Sequence, residues 1–225
     1  MPKETFFNIK EEKREALTDA FLREFAVKSY DEASITEVVK KLGIAKGSIY
    51  QYFNDKLDLF IFLIGECSTV KRKYTDSIRR EDFPDFWTYF RELYVRGFQF
   101  DEENPLESHF LHKLTQNLNS PSVKKLYEEM LDQIVKGFEM IARYEMEAGL
   151  FRSDISVKTL GFSLYKLGVS IQEQLEHSGV IEPTKSIDDK LPVYRGKKEQ
   201  LMHTVDEYIM IMKPAFENNK RDDRS

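Results

Sequence analysis

Apolar residues recur at three- and four-residue spacing along most of the chain, and no stretch shows the two-residue alternation of a strand. The pattern predicts an all-α protein. A first helix runs over Lys10 to Lys28, with Leu17, Ala20, Phe21 and Phe25 on one face and Glu12, Asp19, Arg23 and Glu24 turned away. Two short helices follow, Ile35 to Leu42 and Lys46 to Tyr52, and then a long one from Lys56 to about Arg79. Phe83 to Phe100 is periodic. Asn104-Pro105-Leu106-Glu107 reads as a helix start, with a capping side chain, proline at the first helical position and glutamate at the third. Ser120-Pro121 opens another helix, which Gly149 stops. Leu160, Leu164, Leu167, Ile171 and Leu175 mark a helix over Ser156 to His177, and Leu201, Val205, Ile209 and Met212 mark the last. Between these two, Ser178 to Gly196 reads as a long loop containing Pro183 and Pro192. The charged tail from Glu217 to Ser225 is expected to fray.

Charge changes this picture in one respect. The 225 residues carry 34 Lys+Arg against 39 Asp+Glu, a net charge of -5, which excludes a wholesale basic coat for nucleic acid or anionic membrane. Any nucleic-acid site is therefore local. The single cysteine, Cys67, allows no intramolecular disulfide and no cysteine-rich zinc site, which fits a reducing cytoplasm, and it reads as a packed thiol. Met1 to Arg14 lacks the apolar run of a secretory signal, and nothing approaches the roughly 20 apolar residues that span a bilayer. His109 and His112 share a helical spacing but have no further ligands in view, so no metal or cofactor is expected. Phosphate-binding glycine loops, HExxH and GxSxG are absent, and no catalytic residue is assigned.

The informative segment is Ser34 to Phe53. Ser34 and Glu37 have capping-box spacing, which starts a short helix where its apolar face of Ile35, Val38, Val39 and Leu42 begins. Gly43 permits the positive φ of a sharp turn, and Ile44 and Ile49 can bury on its two sides. About three residues then separate two short helices, as in a helix-turn-helix. The second helix offers Lys46 as charge, Gly47 as a point of close backbone approach, and Ser48, Tyr50, Gln51 and Tyr52 as hydrogen-bonding groups for phosphates or base edges. Residues 40 to 56 hold Lys40, Lys41, Lys46 and Lys56 against Asp55 alone, a local net charge of +3. A solvated lysine face is the alternative for each residue singly.

Gly43-Ile44-Ala45-Lys46-Gly47-Ser48-Ile49-Tyr50-Gln51-Tyr52-Phe53, followed by Asp55-Lys56 and Leu59-Phe60, resembles the helix-turn-helix of the TetR family of bacterial transcriptional regulators. The resemblance implies a helix-turn-helix DNA-binding domain over residues 1–57 joined to a helical effector-binding and dimerisation domain over 58–225. It implies that Lys46, Gly47 and Ser48 sit at the groove, that Tyr50 and Tyr52 contact phosphates, and that Thr36 and Lys56 do so from neighbouring helix starts, with Ser34, Ala45 and Gln51 completing the expected DNA-binding set. Ala45 departs from the usual Ser or Thr, and Gln51 from a frequent His.

Phe83 to Phe100 holds eight aromatics, where 13% of 18 residues predicts about two. Such an excess serves either a thick core or an aromatic cavity. The resemblance implies a cavity, here assigned to Trp87, Tyr94, Phe98, Phe110 and Phe138, for a small apolar or amphipathic effector. Acidic residues near it, such as Glu92, Asp101, Glu107 and Glu128, could counter a cationic one. The Ser156 to His177 helix is apolar on more than one side and has to bury both. Gly161, Leu164, Gly168 and Ile171, with Val205, Ile209 and Met212 of the last helix, are the expected homodimer interface, a central core helix being the alternative. Together these features predict a cytoplasmic, effector-responsive regulator, a repressor released from a palindromic double-stranded DNA operator. A helical protein-interaction module without specific DNA binding is the rival reading, and an all-helical enzyme a more remote one.

Overall fold

The structure, a computed structural model, describes residues 2–117, 120–188 and 191–218. Its helices are α1 (Glu4–Phe7), α2 (Glu11–Val27), α3 (Ile35–Lys41), α4 (Lys46–Tyr52), α5 (Lys56–Thr75), α6 (Phe86–Glu103), α7 (Pro105–Asn117), α8 (Lys124–Glu147), α9 (Val157–His177), α10 (Pro183–Asp188) and α11 (Lys198–Phe216). Among the described residues there is no strand, only an antiparallel bridge between Phe151 and Glu217. Two short 3-10 turns, Arg80–Asp82 and Pro121–Val123, precede α6 and α8.

The periodic segments all become helices, with differences at the ends. The α5 helix stops at Thr75 rather than Arg79, and α6 is shifted to Phe86–Glu103. Ser120 caps as expected, its Oγ accepting from Ser122 N at 3.1 Å, but the turn it opens is 3-10 before α8 begins. Two elements escaped the sequence reading because each is too short to show a period. They are α1, and α10 inside the segment expected to be a loop. The fraying expected of the tail falls, from residue 219 onward, outside the described residues; Glu217 itself is bridged to Phe151.

Chain contacts divide the molecule into two units. The first comprises 1–77, 99–125 and 183–193, and the second 78–98, 126–182 and 194–225. In the first unit, α2 packs on α3 and most extensively on α7, while α5 packs on α7 and α10 touches both α2 and α7. Its core is aromatic: Phe60 meets Phe25 at 5.1 Å, Tyr30 at 5.0 Å and Phe110 at 5.7 Å between ring centres. Glu24, expected to face solvent, is buried. Its carboxylate accepts from Ser34 N at 2.9 Å and Lys28 Nζ at 2.8 Å, so burial leaves it satisfied.

In the second unit α9 packs on α11, and a cluster of Phe86, Trp87, Phe151 and Phe216 forms the core. Trp87 stacks on Phe151 at 5.8 Å and meets Phe216 edge-on at 6.0 Å. Arg80 forms a fork with the fully buried Glu145, Nη2 to Oε2 at 2.9 Å, and donates through Nη1 to Phe83 O at 2.9 Å. A buried carboxylate held this way has its charge matched on both oxygens.

Candidate nucleic-acid interface

The α3–turn–α4 unit is built locally. Ser34 Oγ caps α3 by accepting from Glu37 N at 3.3 Å. Only half of the expected capping box forms, because the Glu37 carboxylate turns to Lys28 Nζ at 3.0 Å and Ser34 N is taken by Glu24. At the far end Gly43 adopts φ +68°, and Ile44 N reaches back to Val39 O at 3.0 Å, closing a left-handed stop that a side chain would strain. Ile35, Val38, Val39 and Ile49 are buried beneath the two helices, and Ile44 is half-buried. Ala45 sits at the N-cap of α4 with no side-chain cap, the consequence of lacking a hydroxyl there.

This construction leaves a defined outer face. Thr36, Ala45, Lys46, Gly47, Tyr50 and Gln51 are exposed, and Ser48 is half-exposed. Nothing lies within 4 Å of a Cβ built on Gly47, so the glycine marks open surface. Tyr52 departs from expectation: it is 6% exposed, its ring 5.8 Å from Phe6, because position 52 falls on the inward side of α4 together with Ile49. Lys56 is half-buried and already engaged, its Nζ 4.7 Å over the Tyr30 ring and 3.3 Å from Asp31 O. Burial pulls the ammonium pKa down, and Asp31 and Glu24 oppose that shift. Ser34 is committed to capping. The outward group that remains is one lysine, one phenol, one amide, two hydroxyls and a bare backbone, a set able to meet phosphates and base edges. Sequence reasoning missed Lys3, Thr5 and Phe6, which pack against the end of α4 from a segment with no readable period.

The expected effector residues are distributed over both units. Phe110 is fully buried in the first unit, and the other four belong to the second. Trp87 is core, locked in its aromatic cluster. Tyr94 is half-buried, donating to Gly168 O at 3.0 Å, and burial raises its phenol pKa. Phe98 and Phe138 are half-buried, Phe98 lying under Lys198 and Phe138 beside Tyr165. A cavity of about 200 Å³ in the second unit is lined instead by Arg80, Glu81, Tyr89, Met140, Ile141, Tyr144 and Glu145. Of the acidic residues, Glu92 pairs with Arg96, and Asp101 accepts from Val193 N.

The expected dimer residues are also redistributed. Leu164, Ile171, Val205 and Met212 are wholly buried within one chain, since the stripe that the sequence shows on α9 and α11 is the one these helices turn inward. Gly161 is consumed by the α8–α9 crossing, where an added Cβ would lie 2.7 Å from the Glu139 backbone. Gly168 and Ile209 are half-buried. The apolar side chains actually presented are Phe162 on α9 and Met210 and Ile211 on α11, the last two 74% and 66% exposed.

Residues 17–62 match the family model of bacterial regulatory proteins of the tetR family. The chain is 27% identical over 176 residues to the uncharacterised HTH-type transcriptional regulator YdgC of Bacillus subtilis (strain 168), covering 76% of this chain and 85% of that one. It is 30% identical over 95 residues to the HTH-type transcriptional repressor BepR of Brucella suis biovar 1 (strain 1330), over 42% of this chain and 36% of that protein. A TetR family transcriptional regulator from Chloroflexus aurantiacus J-10-FL has a similar fold, with a TM-score of 0.76 and 27% identity over 97% of this chain and all of that one. These relatives are transcriptional regulators rather than enzymes, and among the described residues no helix is long and apolar enough to cross a membrane. With its helix-turn-helix formed and its outer face open, residues 17–62 carry the helix-turn-helix of the TetR family of bacterial transcriptional regulators, and the chain as a whole is similar in sequence and fold to regulators of that kind.

Proposed function

We propose that this regulator is an effector-responsive repressor that binds a palindromic operator as a homodimer. The observation that carries the reading is the open face of α4, where Lys46, Gly47, Ser48, Tyr50 and Gln51 project from a two-helix unit that buries Ile35, Val38, Val39 and Ile49 beneath it, while Leu42 of the expected apolar face stays exposed. DNA binding is assigned to residues 1–57, and effector binding and dimerisation to 58–225. A dimer would present two copies of α4 to half-sites about one helical turn, roughly 34 Å, apart. The effector is assigned to the second unit, as a small apolar or amphipathic molecule. Met140 and Ile141 offer it apolar contact, Tyr89 and Tyr144 offer phenols, and the Arg80–Glu145 pair neutralises itself. Effector and operator disfavour each other by one shared coupling energy.

The test is binding to the intergenic DNA upstream of the protein's own gene, across a salt series. Selective binding that weakens steeply with salt is expected. Lys46→Ala should reduce affinity on all sequences and lower the salt slope by about one, whereas Tyr50→Ala should cost about tenfold or more on the preferred site. Both variants should keep their helicity and assembly. Unchanged affinity in both would remove this face from the interface.

A further inference from the structure

The recognition helix α4 has two turns and a poor end of its own. It closes at Phe53 in an extended conformation, with neither a glycine stop nor a basic residue in its last turn. A helix this short is unstable alone, and its last carbonyls have no partners within the helix. Those carbonyls are nevertheless taken, one after another, by residues 3–5. Lys3 Nζ donates to Tyr50 O at 2.8 Å, Thr5 Oγ1 donates to Gln51 O, and Lys3 N donates to Tyr52 O at 2.7 Å. The Lys3 ammonium also brings positive charge to the negative end of the helix dipole. Phe6, almost wholly buried, pins the segment by packing on Tyr52 at 5.8 Å, Phe53 at 5.0 Å and Phe62 at 5.2 Å.

We infer that residues 3–6 are an external C-terminal clamp for the recognition helix, with Lys3 and Thr5 acting as positioning residues for operator selectivity. The clamp grips the peptide units of Tyr50 and Gln51, the two exposed residues nearest the end of α4, so it holds the backbone from which their side chains reach out. It lies before residue 17 and hence outside the segment that the family model matches. Prior ordering of a reading element favours binding where many groups have to meet a partner at once. The inference rests on α4 being the recognition helix, as proposed above.

Thr5→Val removes the hydroxyl while keeping the side chain's shape, and Thr5→Ser restores it. Lys3→Met removes the ammonium and keeps its length. Amide hydrogen exchange at residues 50–53 reads the clamp without DNA, and affinity for the upstream intergenic duplex against a scrambled duplex of equal length reads selectivity. In Thr5→Val and Lys3→Met, exchange at these amides should accelerate and selectivity should fall about three- to tenfold. Binding to the scrambled duplex and the salt slope should stay constant, and Thr5→Ser should behave like the wild type. Unchanged exchange and selectivity in both variants would overturn the clamp. A salt slope lower by about one in Lys3→Met would make Lys3 a phosphate contact and overturn its positioning role. Faster exchange in the variants of a protein whose wild type shows no selectivity would sink the recognition-helix reading and leave the clamp a matter of stability alone.

Discussion

Gly161 shows how much one residue can decide. In the sequence it belongs to a seven-residue glycine spacing suited to contact between helices, and the structure places that contact inside the chain, against the backbone of Glu139. Backbone has no rotamer with which to yield. Gly161→Ala is therefore expected to destabilise the fold by about 1–3 kcal/mol through overpacking, despite alanine's better helix propensity. Urea denaturation measures this, and an unchanged midpoint would mean that α8 and α9 separate at no cost. Glu24 teaches the complementary lesson: its charge marks it for solvent, yet two donors from different elements hold it inside. Tyr52 belongs with Glu24, since its polar tip drew it to the DNA face while its ring belongs to the core. A hydroxyl or carboxylate has its place fixed by neighbours that residue type does not name.

At the scale of elements, α7 is the helix that ties the first unit together, packed on α2 and α5 and touched by α10. It carries His109 and His112, both buried, beside Asp101 of α6. His109 Nε2 lies 2.7 Å from Leu191 O, and Asp101 accepts from Val193 N at 3.0 Å, so the pair secures the segment after α10. Burial pushes the His112 pKa down to about 4, reinforced by His109 and Lys113 and opposed by Asp101. Burial lowers His109 too, against the hydrogen bond to Leu191. Since the folded values lie below the unfolded value of about 6.5, the unfolded chain binds more protons between these limits, and stability falls as pH falls. His112 alone should contribute about 3 kcal/mol of loss between pH 6.5 and 4. His112→Phe should flatten that portion of the curve in denaturation series at pH 7, 5.5 and 4.5. An identical slope in the variant would show that the imidazole titrates normally.

The whole molecule has apolar surface that one copy does not cover. On α11, Met210 and Ile211 share with His203, Glu207 and Pro214 the face turned from the core, and Phe162 is exposed on α9, the helix against which α11 packs. In the proposed homodimer, these side chains are the candidate contact with the second copy. The double substitution Met210→Glu and Ile211→Glu should convert a dimer to monomers in sedimentation while leaving circular dichroism unchanged. Operator affinity should then fall by roughly a hundredfold or more, because one recognition helix binds without its tethered twin. A dimer that survives the substitution would place the interface elsewhere.

The chain's periodicity by itself determined that the fold is helical, where α2 to α9 and α11 lie, and that Gly43 breaks the run between α3 and α4 to make a helix-turn-helix. These are local matters, settled by spacing, caps and the conformational freedom of a glycine. Tertiary structure alone decided that the apolar stripes of α9 and α11 are buried within one chain and which further apolar residues stay outside. Leu164 and Val205 are as apolar as Phe162 and Met210, and only the packing of α9 on α11 separates core from surface. It also turned the aromatic excess of α6 into core at Trp87 rather than cavity, and it brought Lys3 and Thr5 to the end of α4 across more than forty residues of sequence. Contacts at that separation leave no period along the chain, because they depend on where folding returns a segment rather than on its neighbours in sequence.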